Sequence, residues 1–214
     1  MRADDGRVEC DESGGVPSGP PIPTNFSPPG WYLTMQPDDE TLVADCLRGN
    51  GVAFEILVGR YEKLVYNVAR RMVGQVEDAR DIAQTVFLKV FENLKGFDRR
   101  YRFRSWITRI TINESINHLG ARKGAEPLDE RWPSAERGPG EIVSGAERSR
   151  AVDVAVRGLQ LDYRVVIVLR HFLEYSYREM ATILEIPEKT VKSRLFTARQ
   201  LLKDALASQG AMES

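Results

Sequence analysis

Cysteine is scarce in this chain: Cys10 and Cys46 are the only two in 214 residues, and neither sits in a CxxC or Cys/His cluster. That removes a disulfide framework and a cysteine zinc site, since both need paired or clustered thiols. Histidine is equally sparse, with His118 and His171 the only two. The pairs Glu114/His118 and His171/Glu174 have the helical spacing of metal ligands, yet they fall in different predicted domains and lack further ligands. No metal centre, cofactor or catalytic constellation is read from them. Long apolar runs are missing as well. The longest is VVIVL, Val165 to Leu169, against the roughly 20 residues a membrane-crossing helix needs. The amino terminus also lacks the charged-then-apolar pattern of a secretion signal, so the expectation is a cytoplasmic protein with no membrane insertion. Segments of strand periodicity are absent too, which argues against a sheet.

Nor does charge of one sign dominate, the formal net charge being -1. That total conceals a segregation along the chain. Residues 1–40 hold eight acidic and two basic residues, and residues 41–94 hold seven of each. Residues 95–125 then carry eight basic against two acidic, and residues 186–204 five against two. Two basic islands of this size suit phosphate backbones, because each Lys or Arg beside a phosphate releases condensed counterions.

What is present is helical. Residues 1–37 hold seven of the eleven prolines without apolar periodicity and read as a disordered acidic tail. From Asp38, a helix N-cap, apolar residues recur at helical spacing through Phe54, Leu57, Val58, Tyr61, Leu64, Val65, Val68 and Met72, with Gly74 as the stop. A second helix follows in DARDIAQTVFLKVFENL, with Ile82, Val86, Phe87, Val90, Phe91 and Leu94 as its apolar set. The stretch GFDRRYRFRSW breaks the period, and a third helix runs from Ser105 to about Leu119 with Trp106, Ile110 and Ile116 inward. Residues 125–147 are rich in Gly, Pro and charge and read as a flexible linker. Beyond them helices are expected at about 148–159 and 161–174. Ser176 and Glu179 then form an S-x-x-E capping box, and Pro187 fits the first turn of a last helix with Val191, Leu195, Ala198 and Leu202 inward. The predicted fold is all-α: two small helical domains, 38–124 and 148–208, joined by the linker, the second ending in a helix-turn-helix, with a short tail at 209–214.

Three stretches, DARDIAQTVFLKVF (78–91), FRSWITRITINESINHL (103–119) and YREMATILEIPEKTVKSRLFTARQLL (177–202), carry a resemblance in their order and separation. Through them the chain resembles the extracytoplasmic-function (group IV) sigma factors of the sigma-70 family, which join RNA polymerase core and direct it to promoters. The resemblance implies that Asp78, Asp81, Gln84 and Phe87 face the coiled coil of the largest polymerase subunit. It places minus ten recognition and melting at Arg99, Arg100, Tyr101, Arg102, Phe103, Arg104 and Asn113, where cations hold phosphates and aromatic faces receive unstacked bases. Minus thirty-five contacts fall to Lys189, Thr190, Lys192, Ser193, Arg194 and Arg199 on the last helix, mostly to phosphates. The partners it implies are core polymerase, through that coiled coil and the flap of the second-largest subunit, promoter DNA, and an anti-sigma factor. Residues 1–34 lie outside the resemblance and are expected to be dispensable. Thr85 stands where the family usually has an acidic residue, and Glu185 at a corner where Gly or Asn is easier.

A helix-turn-helix repressor, or the output domain of a response regulator, would account for residues 161–206 equally well. It leaves DARDIAQTVF and the aromatic-basic loop without a role, and it does not require core polymerase.

Overall fold

A computed structural model of the chain describes residues 37–125 and 145–211. The tail expected before Pro37, residues 126–144 of the linker expected at 125–147, and residues 212–214 lie outside the described residues; the two ends of that linker, Ala125 and residues 145–147, are helical instead.

Helix α1, Asp39–Leu47, begins where the extended Asp38 carboxylate accepts the Thr41 amide at 2.8 Å, a bond that holds the carboxyl below its ordinary pKa. The helical stretch expected from Asp38 to Gly74 is in fact two helices. Gly49, at φ 90°, and Asn50, whose side chain accepts the Val52 N–H, interrupt it. Helix α2 then runs Gly51–Val73 and ends on left-handed Gly74, as its glycine stop requires. Helix α3, Val76–Asn93, leads through a 3-10 turn into the loop before α4, Phe103–Ala125. These three bury Leu57, Val65, Val68 and Met72 against Ile82, Val86 and Val90 and against Phe103, Ile107 and Ile112, all at most 3% exposed.

Two expectations about faces are corrected here. Phe91 is not inward: it is 64% exposed, edge-on to Phe54 at 5.2 Å. The α3 core stripe runs through Ala79, Ile82, Val86 and Val90, and the next residue lies about 100° further round the helix. On α4 the buried face is Phe103, Ile107, Thr108, Thr111, Ile112 and Ser115, while Trp106, Ile110 and Ile116 are half-buried on its flanks. Polar residues can occupy that face because the hydroxyls of Thr108, Thr111 and Ser115 each donate to the carbonyl four residues back, at 2.8 Å.

The C-terminal half is built from α5 (Gly145–Gly158), α6 (Leu161–Ile167, widening into a π turn at Val168–Phe172), α7 (Tyr177–Leu184) and α8 (Glu188–Ala211). Both arms of the capping box form: Glu179 N–H donates to Ser176 Oγ, and Ser176 N–H to Glu179 Oε2. Glu185, at φ 53°, makes the left-handed corner between α7 and α8. Val166, Ile167, Leu169, Met180, Val191, Leu195 and Ala198 fill this core, each at most 4% exposed. The described residues from Pro37 onward form one compact unit, in which α7 lies on α4 and α5 on α2. Among the described residues there is no strand, and no helix is long and apolar enough to cross a membrane.

Candidate functional site

The first basic island is carried by the turn between α3 and α4, which the sequence makes unable to continue either helix: Gly96 and the Asp98-Arg99-Arg100 turn separate them. Aromatic packing fixes the turn from beneath. Phe97, Phe103 and Trp106 meet one another edge-on or tilted at 5.0 to 5.6 Å between ring centroids, and Phe103 meets Tyr61 edge-on at 5.3 Å. Phe103, 3% exposed, is thus a core residue at the start of α4, and its expected place among the DNA-facing residues is corrected. Arg99, Tyr101, Arg102, Arg104 and Asn113 are exposed. Arg100 is exposed too but is clamped by Asp98, at 2.6 Å from Nη2 to Oδ2, which lowers the aspartate pKa and neutralises part of the island. Asn113 lines an open groove of about 530 Å³ together with Trp106, Arg109 and Lys89.

The second island lies on α8. Its apolar stripe, Val191, Leu195 and Ala198, is fully buried, which turns Lys189, Lys192, Ser193, Phe196 and Arg199 outward. Lys192 Nζ is 2.7 Å from Glu188 one turn back, and Arg199 Nε donates to His171 Nε2 at 3.3 Å. Burial, with Arg199 and Arg170 beside it, holds the His171 pKa below its ordinary value, so the ring accepts from the guanidinium near neutral pH. Two expected contacts sit differently. Thr190 is half-buried, and Arg194 reaches sideways to Asp162 on α6 at 2.7 Å with its side chain 30% exposed, because its position flanks the stripe. Phe196, which the buried stripe also turns outward, stands 67% exposed in the middle of that face, although it is not among the expected DNA contacts.

A third surface is neither basic nor paired with the other two. On α3, Asp81, Gln84, Leu88 and Phe91 fall three to four residues apart along one exposed face, with Phe87 half-buried beside it. Leu88 and Phe91, both 64% exposed, give that acidic and amide face an apolar end that the sequence candidates omitted. Asp78 is drawn away from it: its Oδ2 accepts from Arg122 at 2.7 Å and lies 3.4 Å from His118 Nε2. Thr85 spends its hydroxyl on the Asp81 carbonyl at 2.9 Å. The Glu114 carboxylate is 2.6 Å from Lys89, and no cluster of three or more metal-ligating side chains occurs among the described residues.

Family profiles described as sigma-70 region 2 and sigma-70 region 4 match residues 57–124 and 149–202. The RNA polymerase sigma-H factor of Pseudomonas aeruginosa is 32% identical, over 81% of this chain and 96% of that protein. The ECF RNA polymerase sigma factor SigW of Bacillus subtilis is also 32% identical, over 74% and 91%. Among solved structures, CnrH in complex with the cytosolic domain of CnrY superposes with a TM-score of 0.62 at 28% identity, over 79% of this chain and 97% of that one. The sigma factor RpoE from Bartonella quintana, solved with the anti-sigma factor NepR, shares the fold with a TM-score of 0.61 at 22% identity, over 72% and 96%.

Proposed function

Because the chain belongs to the extracytoplasmic-function sigma factors of the sigma-70 family, we propose that it joins RNA polymerase core in the cell interior and directs it to promoters. One observation carries this reading: a single chain presents an acidic and apolar face on α3 beside two separate basic surfaces, and a free-standing repressor would use only the last of the three. In this reading Asp81, Gln84 and Phe87, extended by Leu88 and Phe91, dock on the polymerase. Acidic and amide groups around an apolar centre suit a basic helical partner. Arg99, Tyr101, Arg102, Arg104 and Asn113 take the minus ten element, with cations on phosphates and the exposed Tyr101 ring available to an unstacked base. Lys189, Lys192, Ser193 and Arg199 approach the minus thirty-five element from the major groove, with Phe196 offering apolar contact to a thymine methyl. An anti-sigma protein as inhibitory partner belongs to the same reading.

Each basic surface is small, so neither binds DNA tightly alone. Core polymerase holds both at promoter spacing, and the second contact becomes nearly intramolecular. The test is gel filtration of the purified chain with core, followed by an anisotropy titration of a candidate promoter duplex at fixed salt, with and without core. Co-elution and tight promoter binding only with core are expected. Tight, core-independent binding to an operator-like duplex, with no co-elution, would instead establish the repressor reading.

A further inference from the structure

The seam between the two halves is polar and specific, and the docking on α3 and α8 leaves it without a role. The carbonyls at the C-terminal end of α2 lack partners within their own helix and carry the negative end of its dipole. Two arginines from the other half fill that end. Arg164, 8% exposed, donates Nη1 to Met72 O and Nη2 to Leu159 O and Arg157 O, while Arg157 donates Nη1 to Gly74 O at 3.2 Å. Arg71 of α2 returns the contact by lying 4.0 Å over the Phe172 ring. Burying a guanidinium is costly unless its N–H groups find acceptors in place; three backbone carbonyls meet the two terminal nitrogens here, while Nε is buried without a partner, so the seat is shaped to the Nη ends of an arginine. Burial and the neighbouring Arg157 push the Arg164 pKa down to about 10, which leaves it charged at neutral pH.

Further along the same seam the first basic island is engaged. Tyr175, 2% exposed, places its hydroxyl 3.0 Å from Thr108 Oγ1 and 3.2 Å from Arg104 O. Arg104 Nη2 donates to Leu173 O at 3.1 Å, Arg109 pairs with Glu185 at 2.7 Å, and Arg102 lies 3.5 Å from Glu179. The outward face of α8 stays open. A compact body of the size of the described residues is roughly 40 Å across, whereas elements centred ten and thirty-five base pairs upstream of a start site lie about 85 Å apart at 3.4 Å per pair. The closed body therefore cannot occupy both at once.

We propose that the C-terminal half is an intramolecular lock on the N-terminal half: Arg157 and Arg164, seated on the end of α2, hold the free chain closed and keep Arg102, Arg104 and Arg109 engaged by α7 and the turns flanking it, withholding them from DNA until the seam opens. The withholding from DNA rests on the promoter reading; the closure does not.

The test uses the full chain and two variants, with small-angle scattering for closure and anisotropy on a labelled single-stranded 20-mer of mixed sequence for the island. Arg164→Met removes the buried plug. Because that residue also ties together α5 and α6, the double variant Arg157→Gln/Tyr175→Phe accompanies it, cutting seam bonds with little change of volume; circular dichroism checks both folds. The wild-type chain is expected to scatter as one compact body and the variants to gain several Å in radius of gyration. Their affinity for the 20-mer is expected to rise about fivefold or more, as when a binding-competent state goes from a minor to the major population. Loss of positive charge alone would weaken binding, so a gain cannot come from charge. Unchanged scattering in the double variant overturns the lock, and opening without a gain in affinity overturns the withholding. Failure of the promoter reading would appear separately, as absence of co-elution with core.

Discussion

Lys192 and Arg199 stand on the outward face of α8, and each already holds a partner that DNA would have to displace: Glu188 in one case, the neutral His171 ring in the other. Exchanging an exposed, screened pair for a phosphate costs little, so both remain usable as phosphate contacts. Lys192→Ala and Arg199→Ala are each expected to weaken promoter-duplex binding in the holoenzyme about fivefold and to reduce the slope of log affinity against log salt by about one. Co-elution with core should stay intact, and its loss in either variant with the fold preserved would reassign this face. Arg194, tied to Asp162 at the flank, should show a smaller effect on DNA than either. Residue identity marked all three as cations equally; only their angular position about the helix separates them.

At the scale of the element, α7 depends on its cap. The Ser176 backbone N–H on the Glu179 carboxylate, followed by the Ser176 hydroxyl, holds the Glu179 pKa below its ordinary value. A carboxylate whose folded pKa is depressed contributes stability that is present above the unfolded pKa of about 4.3 and is lost as pH falls through the folded value. Glu179→Gln should accordingly cost about 1 kcal/mol at pH 7, measured by urea unfolding, and the gap from wild type should close as the pH is taken well below 4. A gap independent of pH would mean that the amide replaces the carboxylate fully and the charge is idle. Helices α1 and α2 make the complementary point: a periodicity continuous in character was cut by Gly49 and Asn50, residues whose turn preference is local and whose effect overrode the pattern.

For the whole molecule, the buried seam makes the two halves one cooperative body. Thermal unfolding followed by far-UV circular dichroism is expected to show a single transition in the wild-type chain. The Arg157→Gln/Tyr175→Phe variant, with its seam loosened, should unfold in two steps or at a broadened one. A wild-type chain that already melts in two steps would show the halves to be independent. The rim pairs, Arg102 with Glu179 and Arg109 with Glu185, are exposed and salt-screened, so the buried arginine seats should dominate that coupling.

From the sequence alone came the all-helical class, the order of the elements, the capping box at Ser176, the inward stripe of α8 and the two basic islands, because each depends on residues a few positions apart. Helical periodicity and capping are local, and charge counts need no coordinates. What only the tertiary structure decided depends on the neighbours a side chain meets across space. Phe91 and Phe103 are the same residue type, twelve positions apart, each next to apolar or basic company; packing of α2 against α4 buries one and leaves the other 64% exposed. Arg164, in the middle of a run that reads as plain helix, has its meaning set by Met72, 92 residues earlier. No pattern within one element can announce a carbonyl supplied by another, and for that reason the α8 face was legible and the seam was not.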